Sequence, residues 1–350
     1  MSILRKLTKR NPRGRNEERP LRRASTKELV MNLAPVIIAV ILLTATVGVC
    51  QSYDSTKLVY SSDRTGYDEH SLSTAFGSAL DKSKPVVLFV HGRGNEPSKS
   101  LTGTGFILRL VNITGSAVQK LETTYGVTVI LFSWDSDRER TWRFWDFSDR
   151  RRPLANSIGA GEHRVEKVIR ALLSAKNKVS KQQRVILLTH SMGSIVVKNY
   201  VQKHGFPKGI FDNVILSSAD VDNLDHKQWV DKIGAQTKLF ITVNPHDWVL
   251  NESTDARPEG ALPLGLYPGN DLSLKASYVE LNVSSEDKKP LEAHEVFYRE
   301  KWKGFEHVQQ FFQRVFSGGQ PSFEYGKDVE TNWSNRYRLH RSTEFRTQKQ

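Results

Sequence analysis

Residues 184–200, which read Arg184-Val-Ile-Leu-Leu-Thr-His-Ser-Met-Gly-Ser-Ile-Val-Val-Lys-Asn-Tyr200, hold the strand and the helix from which the fold can be worked out. The run Val185–Leu188 is wholly apolar, which is typical of a strand buried on both faces of a parallel sheet. Residues from Ser194 onward are compatible with a helix. Because so few residues separate the two, the chain must turn sharply at Ser191.

This turn resembles the G-x-S-x-G nucleophile elbow, in which a serine hydroxyl stands above the sheet beside backbone N–H groups at a helix N-terminus. Gly193 fits the second glycine, which lets strand and helix approach each other, whereas Thr189 stands where the first glycine is expected. An ordinary strand-to-helix turn with an incidental serine is the alternative. The strand before and the helix after favour the elbow, so Ser191 is the candidate nucleophile.

Length and composition indicate one α/β domain with extensions. The chain has 350 residues, of which 38% are hydrophobic and 25% charged, and these are ordinary globular values. The net charge is +13, but residues 1–28 hold ten Lys or Arg against three Glu, so the body is only mildly basic. This distribution argues against a nucleic-acid partner. A single cysteine, Cys50, excludes an intramolecular disulfide and a cysteine-cluster metal site.

The N-terminal region predicts a membrane anchor. Residues 1–28 are polar and basic, and we expect a disordered cytoplasmic segment. Residues 29–50 are uncharged and apolar over a length that can cross a bilayer. Because the positive flank comes first, the sequence predicts a single-pass protein of the cell (inner) membrane with its body outside the cytoplasm, in the periplasm where there is one. A cleaved signal, or a lipoprotein signal ending at Cys50, is the alternative.

Apolar runs that alternate with helical patterns predict the order of the core. The predicted strands are Pro85–Val90, Val127–Trp134, Val185–Leu188, Phe211–Leu216, Lys238–Val243 and Tyr278–Val283, and the predicted helices outside the elbow are Phe106–Tyr125, Ala155–Lys176 and Trp302–Phe316. Such alternation predicts the α/β class, with a doubly wound, mostly parallel sheet. The domain is expected over residues 85–317. Residues 51–84 precede it as a linker with a possible edge strand at Lys57–Tyr60, and residues 318–350 follow as a polar, peripheral tail.

The candidate acid and base lie downstream of the nucleophile, after later strands. Polar groups at the carboxyl ends of parallel strands share one edge of the sheet, and a serine there needs a base and an orienting acid. Asp247 follows a strand in an Asn-Pro turn and is the candidate acid, although it can also be a helix cap; Asp220 and Asp222 are its rivals. The candidate base is His294, in the loop after the last predicted strand. His307, inside the terminal helix, is its alternative.

An oxyanion formed in acyl transfer also needs backbone donors. The N–H groups of Met192 and Arg93 are the candidates, because Gly92 and Gly94 allow the backbone after the first buried strand to approach closely. This loop lacks the G-K-[ST] sequence of a phosphate-binding loop. The histidines next to the candidate nucleophile and acid, His190 and His246, are expected to support the site rather than to react.

Four segments together resemble the α/β-hydrolase superfamily, and above all its bacterial branch of uncharacterised, often membrane-associated proteins, DUF900. They are Val90-His-Gly-Arg93, Phe132-Ser-Trp134, Thr189-His-Ser-Met-Gly193 and Ile215-Leu-Ser-Ser-Ala-Asp-Val-Asp222. The resemblance covers roughly residues 86–316 and implies a Ser–His–Asp triad for ester, thioester or amide cleavage, which maps onto Ser191, His294 and Asp247. The chain departs from the branch at Thr189 and at Arg93-Gly94, where an aromatic residue and an asparagine are usual.

The sequence therefore predicts a membrane-anchored serine hydrolase of the esterase or lipase type that acts on a small-molecule or lipid-like acyl substrate. No metal or organic cofactor is implied. A non-catalytic α/β-hydrolase-like binding protein at the membrane surface is the alternative. Residues 138–152 interleave six arginines with aromatic residues. A lid, a membrane-interface patch, a single-strand nucleic-acid surface and an ordinary solvated loop all stay open for this stretch, and the sequence does not indicate the oligomeric state.

Overall fold

A nine-stranded sheet forms the centre of the described part of the chain. The structure, a computed structural model, describes residues 58–60, 69–93, 117–136, 151–178, 183–234, 236–284, 290–298, 305–321, 329–333 and 335–339. The segment predicted as a membrane anchor, residues 29–50, lies outside these ranges. Residues 137–150, which include most of the arginine- and aromatic-rich stretch, also lie outside them. Within the described ranges, no helix has both the length and the apolar character that crossing a membrane requires.

The strands lie in the order β1-β3-β2-β4-β5-β6-β7-β9-β8. They are β1 (Leu58–Tyr60), β2 (Val86–Val90), β3 (Thr128–Ser133), β4 (Val185–His190), β5 (Asn213–Ser217), β6 (Lys238–Val243), β7 (Ala276–Glu280), β8 (Val329–Trp333) and β9 (Arg336–Leu339). Every neighbouring pair is parallel except β8 and β9. The prediction of a doubly wound, mostly parallel α/β sheet is confirmed.

Helices cover both faces of this sheet. The helices of the described residues are α1 (Glu69–Leu80), α2 (Ala117–Tyr125), α3 (Arg151–His163), α4 (Val165–Lys178), α5 (Gly193–His204), α6 (His226–Val230), α7 (Trp248–Glu252), α8 (Pro290–His294) and α9 (Glu306–Phe316). Side chains of α1, α3, α4, α5 and α6 pack on one face, and those of α2, α8 and α9 pack on the other. The helix predicted over Ala155–Lys176 is two helices, α3 and α4, that meet at Arg164.

Strands such as β2 are apolar at every position because helices cover both faces of the sheet. In β2, Leu88 and Val90 join the core on one face, and Val87 and Phe89 join the core on the other. All five side chains of β2 are buried. A strand covered on both faces must be apolar at every position, because neither face meets water.

The two edges of the sheet differ from expectation in different ways. The strand expected near Lys57–Tyr60 is present as β1, but the helix α1 that follows it gave no clear signal in the sequence. The expectation of a peripheral tail does not hold for residues 329–339, because β9 pairs with β7 and β8 pairs with β9. Tyr278–Val283 is therefore not the last strand. The two added strands are short and rich in polar residues, so they contain no apolar run that would reveal them.

Candidate active site

Ser191 lies in the turn between β4 and α5, with a backbone φ of 51°. This left-handed conformation is uncommon for residues other than glycine and costs on the order of 1–3 kcal/mol, so the surroundings must hold it. The Ser191 N–H donates to the carbonyl of Ser217 at 3.1 Å, and the Ser191 carbonyl accepts from the N–H of Asp220 at 3.1 Å. The end of β5 thus fixes the turn from both sides.

Two glycines allow the backbone to approach the turn. A Cβ atom added to Gly193 would lie 2.4 Å from the carbonyl oxygen of Val90, and one added to Gly92 would lie 2.8 Å from the Cβ of Ser191. Thr189, which replaces the first glycine of the motif, is buried, and its hydroxyl is 2.7 Å from the hydroxyl of Ser194. The threonine therefore fits because its polar atom has a partner inside the turn.

Asp247 and His294 form a buried hydrogen bond. The Nδ1–H of His294 donates to Oδ2 of Asp247 at 2.8 Å, and the two side chains are 6% and 0% exposed. Because a carboxylate oxygen accepts, the imidazole hydrogen lies on Nδ1. Oδ1 of Asp247 accepts from the N–H of Leu250 at 3.1 Å, so the aspartate also caps α7. Asp247 is thus a helix cap, as the sequence allowed, and at the same time the hydrogen-bond partner of His294.

The charges around His294 favour its protonated form. Burial by itself lowers the pKa of His294, but the charge and hydrogen bond of Asp247, followed by the charges of Glu295 and Asp220, raise it above its ordinary value. An imidazole with such neighbours can take a proton at neutral pH and hold it while a bond breaks.

Backbone contacts tie the base, the acid and the elbow to each other. The side-chain amide of Asn244 donates to the carbonyls of Val283 at 3.0 Å and Ala293 at 3.2 Å. These bonds connect the loop that carries Asp247 to the segment that carries His294. The hydroxyl of Ser218 donates to the carbonyl of His294 at 2.8 Å. Ser218 directly follows the residue that binds the elbow, so β5 links both halves of the site.

The hydroxyl of Ser191 is not hydrogen-bonded to His294 among the interactions of the described residues. The ring of His190 packs between other aromatic rings at this point, with its centroid 4.6 Å from that of His294 and 5.0 Å from that of Phe297. The structure therefore brings the serine and the imidazole to the same edge of the sheet without joining them.

The two candidate oxyanion donors flank the elbow. Met192 precedes α5, and its N–H is one of those that a helix N-terminus leaves without an intrahelical acceptor. Arg93 is half-buried and follows Gly92, whose Cα faces the Cβ of Ser191. Gly94 and the loop after it lie outside the described residues.

The rival acids have another partner. Arg257 donates through Nη2 to Asp220 and through Nη1 to Asp222. Neither carboxylate is hydrogen-bonded to a histidine in the interactions resolved for them. His307, the rival base, lies in the first turn of α9, whereas the imidazole bound by Asp247 is that of His294.

Two further histidines beside the elbow are buried as neutral rings. His91 accepts at Nε2 from the backbone N–H of Trp134 at 3.2 Å, so its Nδ1–H donates to the Gly92 carbonyl at 2.7 Å. Burial lowers the pKa of His91 to about 4. Burial and the charge of His294 lower the pKa of His190 well below its ordinary value. His246, by contrast, is exposed. The sequence expectation of a supporting role agrees with the packing of His190.

The functional residues that the sequence analysis missed are the ones that hold others in place. Asn244 was noted only as part of a turn, Ser218 was one serine in a polar run, and Arg257 stands in a loop without any motif. Only the hydrogen bonds of the folded chain reveal their roles, because each acts on residues distant in the sequence. No periodicity or spacing could have indicated them.

Comparisons with known proteins found a matching family model and several similar solved structures. A family model described as an alpha/beta hydrolase of unknown function (DUF900) matches residues 68–265, a range that contains Ser191 and Asp247 and ends before His294. No curated protein matches. A gene product of Listeria innocua is 11% identical, with a TM-score of 0.36, over 73% of this chain and 99% of that one. A proposed YdeN-like hydrolase from Pectobacterium atrosepticum is 14% identical, with a TM-score of 0.28, over 71% and 100%.

Proposed function

Because the chain belongs to the DUF900 family of α/β hydrolases, we propose that it is a serine hydrolase that cleaves an acyl ester, thioester or amide, with carboxylic esters as the favoured class. The observation that carries the proposal is the buried hydrogen bond between Asp247 and His294 at the edge of the sheet where Ser191 adopts its left-handed turn. A serine, an acid and an imidazole, in this chain order, are the components of nucleophilic acyl transfer in α/β hydrolases.

The reaction runs in two halves. The Ser191 oxygen attacks the acyl carbonyl while Nε2 of His294 takes the hydroxyl proton, and Asp247 stabilises the imidazolium through Nδ1. The N–H groups of Met192 and Arg93 stabilise the oxyanion. His294 then returns the proton to the leaving group, which departs as the acyl-enzyme forms. In the second half the same imidazole takes a proton from a water molecule that attacks the acyl-enzyme carbonyl, and it then returns this proton to the Ser191 oxygen as the carboxylic acid leaves. These steps use no metal ion or organic cofactor.

The mechanism needs a hydrogen bond between Ser191 and His294 that the described residues do not form in the resting structure. Since no hydrogen bond joins Ser191 to His294 within the described residues, the proposal requires the two side chains to meet when substrate binds. Catalytic hydrogen bonds often tighten only in the substrate complex. The same gap favours a second candidate function, a non-catalytic relative that binds an acyl-bearing ligand in this cleft.

Turnover separates the two candidates. We expect purified protein to hydrolyse a series of p-nitrophenyl esters of increasing acyl length, and Ser191→Ala to lower kcat/KM on the order of 10⁶-fold. The acyl length with the highest kcat/KM then indicates the substrate class. Binding of the same esters without release of p-nitrophenol, equal in the wild type and Ser191→Ala, would support the non-catalytic candidate instead.

We further propose that residues 29–50 anchor the chain in the inner membrane, with residues 1–28 in the cytoplasm and the hydrolase domain outside it. The support is the uncharged apolar stretch and its basic flank. Protease added to spheroplasts should degrade the domain and leave an N-terminal tag protected. Degradation of the tag with protection of the domain would contradict this orientation.

A further inference from the structure

A buried ion-pair cluster lies next to the elbow. The side chain of Arg257 is 1% exposed, and its two terminal nitrogens donate to Asp220 and Asp222, whose side chains are 7% and 36% exposed. The Nε atom of Arg257 is buried and has no hydrogen-bond partner among the described residues. A buried guanidinium with an unsatisfied donor stabilises a fold poorly, because its desolvation offsets much of the attraction. The cluster is better explained by the positions in which it holds the neighbouring segments than by the stability it adds.

Asp220 connects the elbow to the segment that carries the candidate acid, Asp247. Its backbone N–H donates to the carbonyl of Ser191 at 3.1 Å. Its carboxylate accepts from the hydroxyl of Ser253 at 2.8 Å, and Ser253 directly follows α7, the helix that Asp247 caps. Arg257 stands four residues further along the same segment. One carboxylate therefore connects the backbone of the candidate nucleophile to the element that carries the candidate acid.

The cluster also balances a charge beside the imidazole. The acidic groups that act on His294 are Asp247, Glu295 and Asp220, and the ring of His190 faces it from β4. An Asp220 carboxylate without its cation would compete with Asp247 for the imidazole, since a buried carboxylate needs a positive or hydrogen-bonding partner.

We propose that Arg257 is a positioning residue of the hydrolytic site. Its ion pairs hold the elbow in register with Asp247 and keep the Asp220 carboxylate away from His294. This assignment rests on the proposed function, because register matters only where the serine and the imidazole act together.

The test measures how fast a fluorophosphonate probe labels Ser191 in full-length protein. We expect Arg257→Met to slow labelling on the order of 100-fold, since a displacement of about 1 Å costs about that much in catalysis. Arg257→Lys should recover part of the rate because it keeps the cation. Arg184→Met is the matched control: Arg184 pairs with Asp212 at 2.6 Å at the opposite end of the sheet, so its labelling rate should stay within a few-fold of wild type.

A pH profile distinguishes positioning from a merely structural role. Asp220→Asn removes an anion that favours protonated His294, so the acid limb of the labelling profile should move to lower pH. Asp222→Asn makes the same chemical change on the same arginine farther from the imidazole, and its acid limb should stay in place. A folded Arg257→Met variant that labels like wild type, or an Asp220→Asn profile without displacement, would overturn the proposal.

Failure of the proposed function gives a different result. If the wild-type protein itself is not labelled, the hydrolase assignment fails, and the His294 Nδ1–H resonance in proton NMR still tests the geometry. Loss of this signal in Arg257→Met, with its retention in Arg184→Met, supports positioning of the imidazole. Retention of the signal in both variants contradicts it. Should Arg257→Met not fold, Arg257→Lys and Asp220→Asn decide by the same measurements.

Discussion

Two neighbouring strands are each followed by a loop that carries one or more aspartates, and the partners of these aspartates differ. After β6, Asp247 is bound to the imidazole of His294. After β5, Asp220 and Asp222 are bound to the guanidinium of Arg257. An imidazole changes its charge near neutral pH and can carry a proton between reacting atoms, whereas a guanidinium stays charged and donates at fixed angles. The two loops therefore differ in the partner of the aspartate rather than in the carboxylate or its place after a strand. On the proposed function, this partner separates the loop that reacts from the loop that holds structure.

Among the tests of this contrast between the two loops, the largest expected effect comes from replacing the aspartates with asparagines. Asp247→Asn should lower kcat/KM for ester hydrolysis roughly 10⁴-fold, because an amide no longer stabilises the imidazolium or selects the Nδ1–H tautomer. Asp220→Asn should lower it only about 10-fold, because an amide can still accept from Ser253. Steady-state kinetics on one p-nitrophenyl ester checks both. A larger loss in Asp220→Asn than in Asp247→Asn would reverse the assignment of the two loops.

A smaller effect is expected at the elbow, whose backbone is hydrogen-bonded to Ser217 and to Asp220 of the loop after β5. Gly193→Ala should destabilise the protein by about 1–3 kcal/mol, because the new methyl group would overlap the carbonyl of Val90. Gly159→Ala, in α3, meets no atom within 4 Å and should stabilise by about 0.5–1 kcal/mol through helix propensity. Denaturant unfolding measures both. Equal stability of the two variants would show that the elbow is not closely packed.

The smallest expected effect is a dependence of stability on pH. The pKa of His294 is raised on folding, so its pair with Asp247 stabilises fully below the unfolded-state value of about 6.5 and less as pH rises through the folded-state value. The free energy lost in Asp247→Asn should therefore fall as pH rises from the unfolded-state value through the raised folded-state pKa of His294. The loss in Asp220→Asn should change less with pH, because the charge of Asp220 raises the pKa of His294 less than Asp247 does and Arg257 does not titrate in this range. A loss that changes equally with pH in both variants would contradict the contrast.

The fold could be predicted from the sequence wherever strands are buried on both faces. Runs such as Val185–Leu188 are apolar at every position and have one interpretation. The strands β8 and β9, which extend the sheet beyond β7, gave no such signal, because their short sequences contain too few apolar residues to form a run. Helix α1 was missed for a related reason, since its sequence Glu69–Leu80 mixes small, polar and apolar residues.

The candidate site was predictable in its residues and not in its contacts. Chain order placed Asp247 and His294 downstream of Ser191, and the structure joins the aspartate to the histidine. The sequence favoured Asp247 over Asp220 because of its turn after a strand, but it could not show which partner each carboxylate binds. Arg257 stands in a loop with no motif, and its contact with Asp220 exists only in the folded chain, so the sequence could not indicate it.

The central claim is that the hydroxyl of Ser191 is a nucleophile activated by His294. Mass-spectrometric mapping of the fluorophosphonate adduct on intact protein tests it most directly. We expect the adduct on Ser191, its loss in Ser191→Ala and a sharp decrease in His294→Ala. An adduct that persists in Ser191→Ala, or that maps to another residue, would contradict the claim.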